Sequence, residues 1–386
     1  MPARHLYIHV PFCARRCSYC DFSIAVRAET PVDEYLGALR SEIAVASQGG
    51  QLGELQTVYV GGGTPSRLGG EGIARLIELV REHTGIAAGA EVTIEANPDD
   101  VTPSNAEVWA RTGVNRVSVG VQSFNDAVLA WMHRTHDSRQ PGRAVEALRG
   151  VGINNYSLDV IFALPAHLQR DLRADLTQLL ALEPAHVSIY GLTVEAHTPL
   201  AHWAMRGDSV EGSEETYEED FLLAHEQVTG AGFEHYEVSN FALPGKRSRH
   251  NSTYWTGQPY AALGPAAHSY DGTFRRWNVR GYAQWIRNLA EGKSAHEAEE
   301  QLTAENRVSE EVYLGLRTTQ GLMASAAELE RAQPWIAAGW ARADSTTLIL
   351  TPTGWLRLDS LAADLAALRS AQANETLRNE RSRCYI

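Results

Sequence analysis

The order of apolar runs in this 386-residue chain predicts an α/β fold, a partial (β/α)6 barrel of the TIM type followed by a smaller, winged-helix-like helical domain. Two observations carry that expectation. Six short runs rich in Val and Ile alternate with amphipathic stretches over the first two thirds of the chain, as buried parallel strands and their crossover helices do. Polar or glycine-rich residues follow these runs, and in a (β/α) barrel the carboxyl ends of the strands form the functional face.

The strands are expected at LYIHV from Leu6, TVYVG from Thr57, EVTIEA from Glu91, RVSVGV from Arg116, SLDVIFA from Ser157 and HVSIYGL from His186. Helical periodicity fills the intervals, for example from Asp33, Ile73 and Asp171. Six units instead of eight predict an incomplete barrel over residues 1–233, with an open parallel sheet as the alternative. Residues 234–303 read as a linking segment, aromatic, glycine-containing and loop-like as far as about Gly281. From 304 to 370 the order helix, turn, helix, short strand, helix suggests the winged-helix-like domain. Residues 371–386 have the low hydrophobicity and high charge of a disordered tail.

At 44% hydrophobic residues the chain can bury a large core, and its formal net charge of −13 argues against nucleic acid as a partner. No run approaches the roughly 20 apolar residues that span a bilayer, and no signal-peptide pattern precedes Leu6. A cytoplasmic location is expected. Four cysteines exclude a disulfide scaffold, and Cys384 reads as an exposed thiol in the polar tail.

The chemistry concentrates in YIHVPFCARRCSYCDF, where Cys13, Cys17 and Cys20 fall within eight residues. A closed zinc site needs four ligands, and common ferredoxin clusters use four cysteines at other spacings. Three thiolates spaced CxxxCxxC leave one iron of a 4Fe-4S cluster open to a further ligand. The alternatives are a cluster of buried thiols or a zinc site completed by His5 or His9. Tyr19, between the second and third cysteines, offers a ring to stack on an adenine or cover the cluster. Gly61 to Pro65 (GGGTP) follows the second strand, where bare backbone can approach a ligand closely. Glu95 ends the third strand, Gln122 the fourth, Arg134 follows with a fork suited to a carboxylate, and Asp159 suits ribose hydroxyls. A second feature is RHNSTYW, in which His250 could offer a nitrogen to haem iron while Tyr254 and Trp255 pack on the flat ring; His268 shares that ambiguity with a structural histidine.

Together these motifs resemble the radical S-adenosylmethionine (SAM) family of oxygen-independent coproporphyrinogen III oxidases and their relatives, most closely the HemW branch of haem chaperones. The resemblance runs from Tyr7 to near Leu322. It implies that Cys13, Cys17 and Cys20 hold a 4Fe-4S cluster, and that SAM is contacted by Tyr7, Tyr19, Gly62, Gly63, Thr64, Glu95, Gln122, Arg134 and Asp159. Two departures separate the chain from the oxidase pattern: Phe22 stands where that pattern has a further cysteine, and the first cluster cysteine is already residue 13. HNSTYW fits the HNxxYW motif of the HemW branch and makes His250 the expected haem ligand. The resemblance thus implies a chaperone that binds haem and passes it to an acceptor haem protein, respiratory in type. It also allows peripheral contact with membrane-associated acceptors and a homodimer. The competing reading is a catalytic oxidase, in which SAM cleavage drives decarboxylation of porphyrinogen propionates. A winged-helix nucleic-acid binder is disfavoured by the acidic composition.

Overall fold

The computed structural model describes residues 2–208 and 212–383, with side chains to residue 372; Cys384 lies outside the described residues. Six parallel strands, β1 (Ala3–Val10), β2 (Leu52–Gly62), β3 (Ile86–Ala96), β4 (Arg116–Gln122), β5 (Tyr156–Phe162) and β6 (His186–Gly191), lie side by side in chain order. A doubly wound open sheet would reverse its strand order once. The unbroken order is that of a partial barrel, with the crossover helices packed around its outside.

Alternation along the strands sorts the two faces. Val58, Val60, Ile94, Val117, Val119, Leu158, Val160 and Val187 are sealed in the apolar layer. Their neighbours Tyr59, Glu95, Arg116, Ser118, Asp159 and Ser188 line a cavity within the barrel. Successive side chains on a strand point to opposite faces, so one apolar set secures the fold while the other set is free to be polar.

The segment 234–303 is not loop-like. Strands β7 (Glu234–Glu237) and β8 (Asn240–Ala242) extend the main sheet beside β6 in antiparallel fashion, and β9 (Ala261–Leu263) adds a parallel strand beside β1. These strands are three or four residues long, too short to show a period. The motif RHNSTYW forms a helix (Arg249–Trp255), and three further strands, β10 (His268–Tyr270), β11 (Phe274–Asn278) and β12 (His296–Gln301), make a small separate sheet.

From Ala304 the chain forms a long helix (Ala304–Arg317), a short strand, two short helices, a β-hairpin (Ala341–Asp344 with Thr347–Leu350) and a closing helix. That helix continues to Arg383, so the tail expected to be disordered from 371 is helical as far as Arg383. Ala, Leu and Arg dominate it, with neither Gly nor Pro to stop it. Among the described residues no helix is long and apolar enough to cross a membrane.

One carboxylate clamps 234–303 to the barrel. Glu42, fully buried on the first helix, accepts hydrogen bonds from the Gly264 N–H (2.9 Å), the Asn278 amide (2.6 Å) and the Trp285 indole N–H (3.1 Å). Gly264 has φ +95°, and a Cβ there would meet the His9 backbone, so glycine is required. Burial pushes the Glu42 carboxyl from 4.5 up to about 7. Between those values the native protein holds a proton that the unfolded chain has lost, so this group's contribution to stability falls as pH rises through the window and is level above it. Glu42→Ala strands three donors and is expected to cost about 3 kcal/mol near pH 5. Denaturant unfolding at pH 5 and pH 8 measures the effect; the gap between wild type and variant should narrow at pH 8, and an equal gap at both would refute the linkage.

Candidate functional site

The cysteine loop leaves β1 and re-enters the fold through a two-residue parallel bridge, in which Phe12 and Cys13 pair with Ala25 and Val26. Its three thiols line one cavity of about 360 Å³ together with Tyr19, Gly62, Gly63, Thr64, Glu95, Gln122, Arg134 and Asp159. Residues from the cysteine loop, four successive strand ends and the loop after the fourth are thereby gathered at one mouth. The Thr64 hydroxyl lies 3.5 Å from Cys13 Sγ, and the Arg134 guanidinium donates to Cys17 Sγ at 3.5 Å. Burial pushes the Cys20 thiol up to about 11 and raises Cys13 in the same direction.

Each SAM-contact candidate has an identifiable support. Glu95 accepts from the Gly62 N–H (2.9 Å) and the Tyr59 hydroxyl (2.8 Å), and burial pushes its carboxyl up to about 7. Gly62 has φ +115° and sits so close to His9 that a Cβ would lie 2.6 Å from the imidazole; one on Gly63 would lie 2.8 Å from the Pro11 backbone. Gln122 adopts φ 68° at a register shift between β4 and β5, a bulge that turns its side chain into the cavity. Behind it, Ser123 donates to Asp175 (2.6 Å), whose carboxylate is paired with Arg170 at 2.9 Å and buried. Arg134 is aimed by donating to Asn97 Oδ1 (2.6 Å) and the Gly120 carbonyl (2.9 Å). Asp159 accepts from Ser118 (2.9 Å) and Ser157 (3.0 Å).

The zinc alternative lacks its fourth ligand. His5 is hydrogen bonded to Thr57 and Gln258, and His9 to Tyr7 and the Ser23 carbonyl. Among the described residues no three His, Cys, Asp or Glu side chains converge as a single ion demands. Three soft thiols around a shared cavity, with no fourth beside them among the described residues, fit the donor set of a 4Fe-4S cluster with one open iron.

Tyr7 lies outside that cavity. It lines an adjoining cleft of about 590 Å³ that shares Phe22, Gly62 and Glu95 with the first. Tyr254 also faces this cleft; His250 and Trp255 face neither space. His250 is fully buried with both ring nitrogens engaged, Nδ1 with Thr57 Oγ1 (2.7 Å) and Nε2 with the Tyr254 hydroxyl (2.8 Å). Its ring stacks on Tyr59 at 5.1 Å, and burial, reinforced by His5 and Arg116, pushes it down to about 3. The expected iron ligand is thus a neutral imidazole with no free nitrogen in this arrangement. Trp255 packs under the Arg317 guanidinium at 4.4 Å, not against a ligand space. The helix carrying the motif is fixed by its Ser248 cap and by buried Glu91, which accepts from the Arg249 and His250 N–H groups at 3.1 and 2.9 Å.

Sequence reasoning passed over Arg116, Ser118 and Ser188 as cavity residues. Arg116 is 1% exposed, and its charge inside the barrel was readable only as a polar residue opening a strand. Cys17→Ala is expected to abolish the brown chromophore after anaerobic reconstitution with iron and sulfide, with an unchanged far-UV circular dichroism spectrum. A four-iron spectrum in that variant would overturn the cluster assignment.

Comparison with known proteins agrees with this geometry. Residues 7–179 match the family model of the Radical SAM superfamily. The chain is 38% identical over 369 residues to "Heme chaperone HemW" of Mycobacterium tuberculosis, covering 93% of this chain and 94% of that protein. The HemW proteins of Bacillus subtilis and Escherichia coli are 35% and 36% identical, over 82% and 69% of this chain and 84% and 70% of theirs. Among solved structures, Escherichia coli coproporphyrinogen III oxidase (HemN), described as a radical SAM enzyme, matches with a TM-score of 0.77 at 23% identity, over 94% of this chain and 90% of that one, a likeness of fold. With 38% identity sustained over nearly the full length of both proteins, the chain belongs to the HemW family of radical SAM proteins.

Proposed function

We propose that this protein binds haem and delivers it to an acceptor haem protein, using a radical SAM core as the frame that holds and regulates the cargo. The observation that carries the reading is the paired arrangement of two spaces, a thiol-lined cavity and an aromatic cleft, which share Phe22, Gly62 and Glu95 in a chain whose relatives are named haem chaperones.

Within the cavity, Cys13, Cys17 and Cys20 are proposed to hold a 4Fe-4S cluster, which with bound SAM supplies one-electron chemistry. Glu95, held by Tyr59 and by the Gly62 N–H, offers an acceptor to an ammonium group. Arg134 offers its fork to a carboxylate, and Asp159 faces the cavity to take ribose hydroxyls. Tyr19 covers the loop between two thiols. Free thiols and an oxygen-sensitive cluster suit a reducing compartment, which supports a cytoplasmic site of action. The acceptor class we infer is a respiratory haem protein met at the membrane periphery.

The oxidase reading rests on fold likeness alone. Anaerobic reconstitution decides between them. Haem titration should give a Soret band and transfer to an apo-haem protein, while coproporphyrinogen with SAM and a reductant should yield no vinyl product. Vinyl porphyrin accompanied by 5'-deoxyadenosine would establish an oxidase instead.

A further inference from the structure

The aromatic cleft beside the cluster cavity holds a histidine that the buried motif leaves available. Tyr7, Phe22, Tyr254, Tyr260 and Trp277 supply ring surface to its walls, and Phe22 is 60% exposed. Such a concave, aromatic-lined space with a few polar groups suits a flat ligand of drug size or larger. His9, in the same wall, has both nitrogens hydrogen bonded. His268 does not: among the described residues neither of its ring nitrogens has a hydrogen-bond partner. Its ring is stacked on Trp277, its direct cross-strand neighbour, with centroids 6.0 Å apart and planes 22° from parallel.

A cation completes the set. Arg275 is paired with Glu310, and Arg276 with Asp271 and Glu299. Arg280, which also faces the cleft, has no carboxylate partner among the described residues. A planar macrocycle with two carboxylates and an iron asks for ring faces, a guanidinium and an imidazole nitrogen, and these meet here.

We propose that haem is seated in the cleft between Phe22, Tyr254 and Trp277, with His268 as its axial ligand and Arg280 on a propionate, while His250 acts from behind as a positioning residue. This rests on the haem-binding reading above. The role of His250 follows from a chain of hydrogen bonds from His5 through Thr57 and His250 to the Tyr254 hydroxyl, at 3.0, 2.7 and 2.8 Å. That chain fixes a ring of the cleft wall.

Haem titration of the reconstituted full chain tests the assignment through the Soret position and the dissociation constant. His268→Ala is expected to shift the Soret band and weaken binding about tenfold or more, with added imidazole restoring the wild-type band. Arg280→Ala should weaken binding without a shift, and His250→Ala should keep the wild-type Soret position. His268→Met, nearer in volume, guards against a folding defect: the ligand change alone should move the band. A wild-type spectrum and affinity in both His268 variants would overturn the proposal and leave haem binding standing. Absence of a Soret band in wild type would overturn both.

Discussion

The Glu95 carboxylate is the junction on which the site depends. It is half-buried, and a carboxylate drawn this far from water is held by hydrogen bonds. One oxygen takes the N–H of Gly62 and the other the hydroxyl of Tyr59, so a single side chain fixes both the backbone of the glycine turn and a ring on the strand before it. The turn has no slack, since Gly62 and Gly63 press on His9 and Pro11 at distances only glycine permits. Tyr59 in turn stacks on His250. The cluster cavity, the glycine turn and the HNxxYW helix are therefore held in one contiguous set of contacts, and a displacement at any of them is felt at the others.

The barrel makes this affordable by separating duties along each strand. The apolar half of every strand seals against the helices, and the polar half never has to be paired with water-free hydrocarbon because it faces a cavity and its own hydroxyl partners. Asp159 accepts from Ser118 on the neighbouring strand and from Ser157 on its own, and Ser157 meets one nitrogen of His186 on the next strand while the other nitrogen meets the Tyr236 hydroxyl. Six strands of ordinary length and one cysteine spacing were thus legible from the chain alone, because each repeats a period or a spacing that local chemistry enforces. Gln122 was legible as a polar strand end, but not the bulge that aims it, which arises from a register shift against β5 and from the buried Asp175 and Arg170 pair. The three-residue strands at Asn240–Ala242, paired on both sides, and Ala261–Leu263, at the opposite edge of the sheet, have no period to read and form where longer strands offer them a pairing partner.

The HNxxYW segment shows a different limit. Its residue types suit haem ligation, yet who occupies a histidine's nitrogens is decided by partners far off in the chain. Thr57, 193 residues away, takes Nδ1 of His250, and Glu91, 159 residues away, holds the backbone N–H at the helix start. His268, in a less distinctive sequence, has no hydrogen-bond partner for either ring nitrogen among the described residues, and its cross-strand neighbour is an indole that stacks on it.

Phe22 joins these two halves of the molecule. An exposed phenyl side chain costs free energy unless something covers it, and this one stands in the wall of both the thiol-lined cavity and the aromatic cleft. The resemblance to the oxidases places a cysteine at this position in their pattern, so the substitution exchanges a polar, redox-active group for a flat apolar one at the partition between the spaces. A ligand that covers the ring on the cleft side constrains the same residue, along with Gly62 and Glu95, on the cavity side. Ligands in the two spaces would thus meet across a shared wall, and any coupling between them would act to the same extent in both directions.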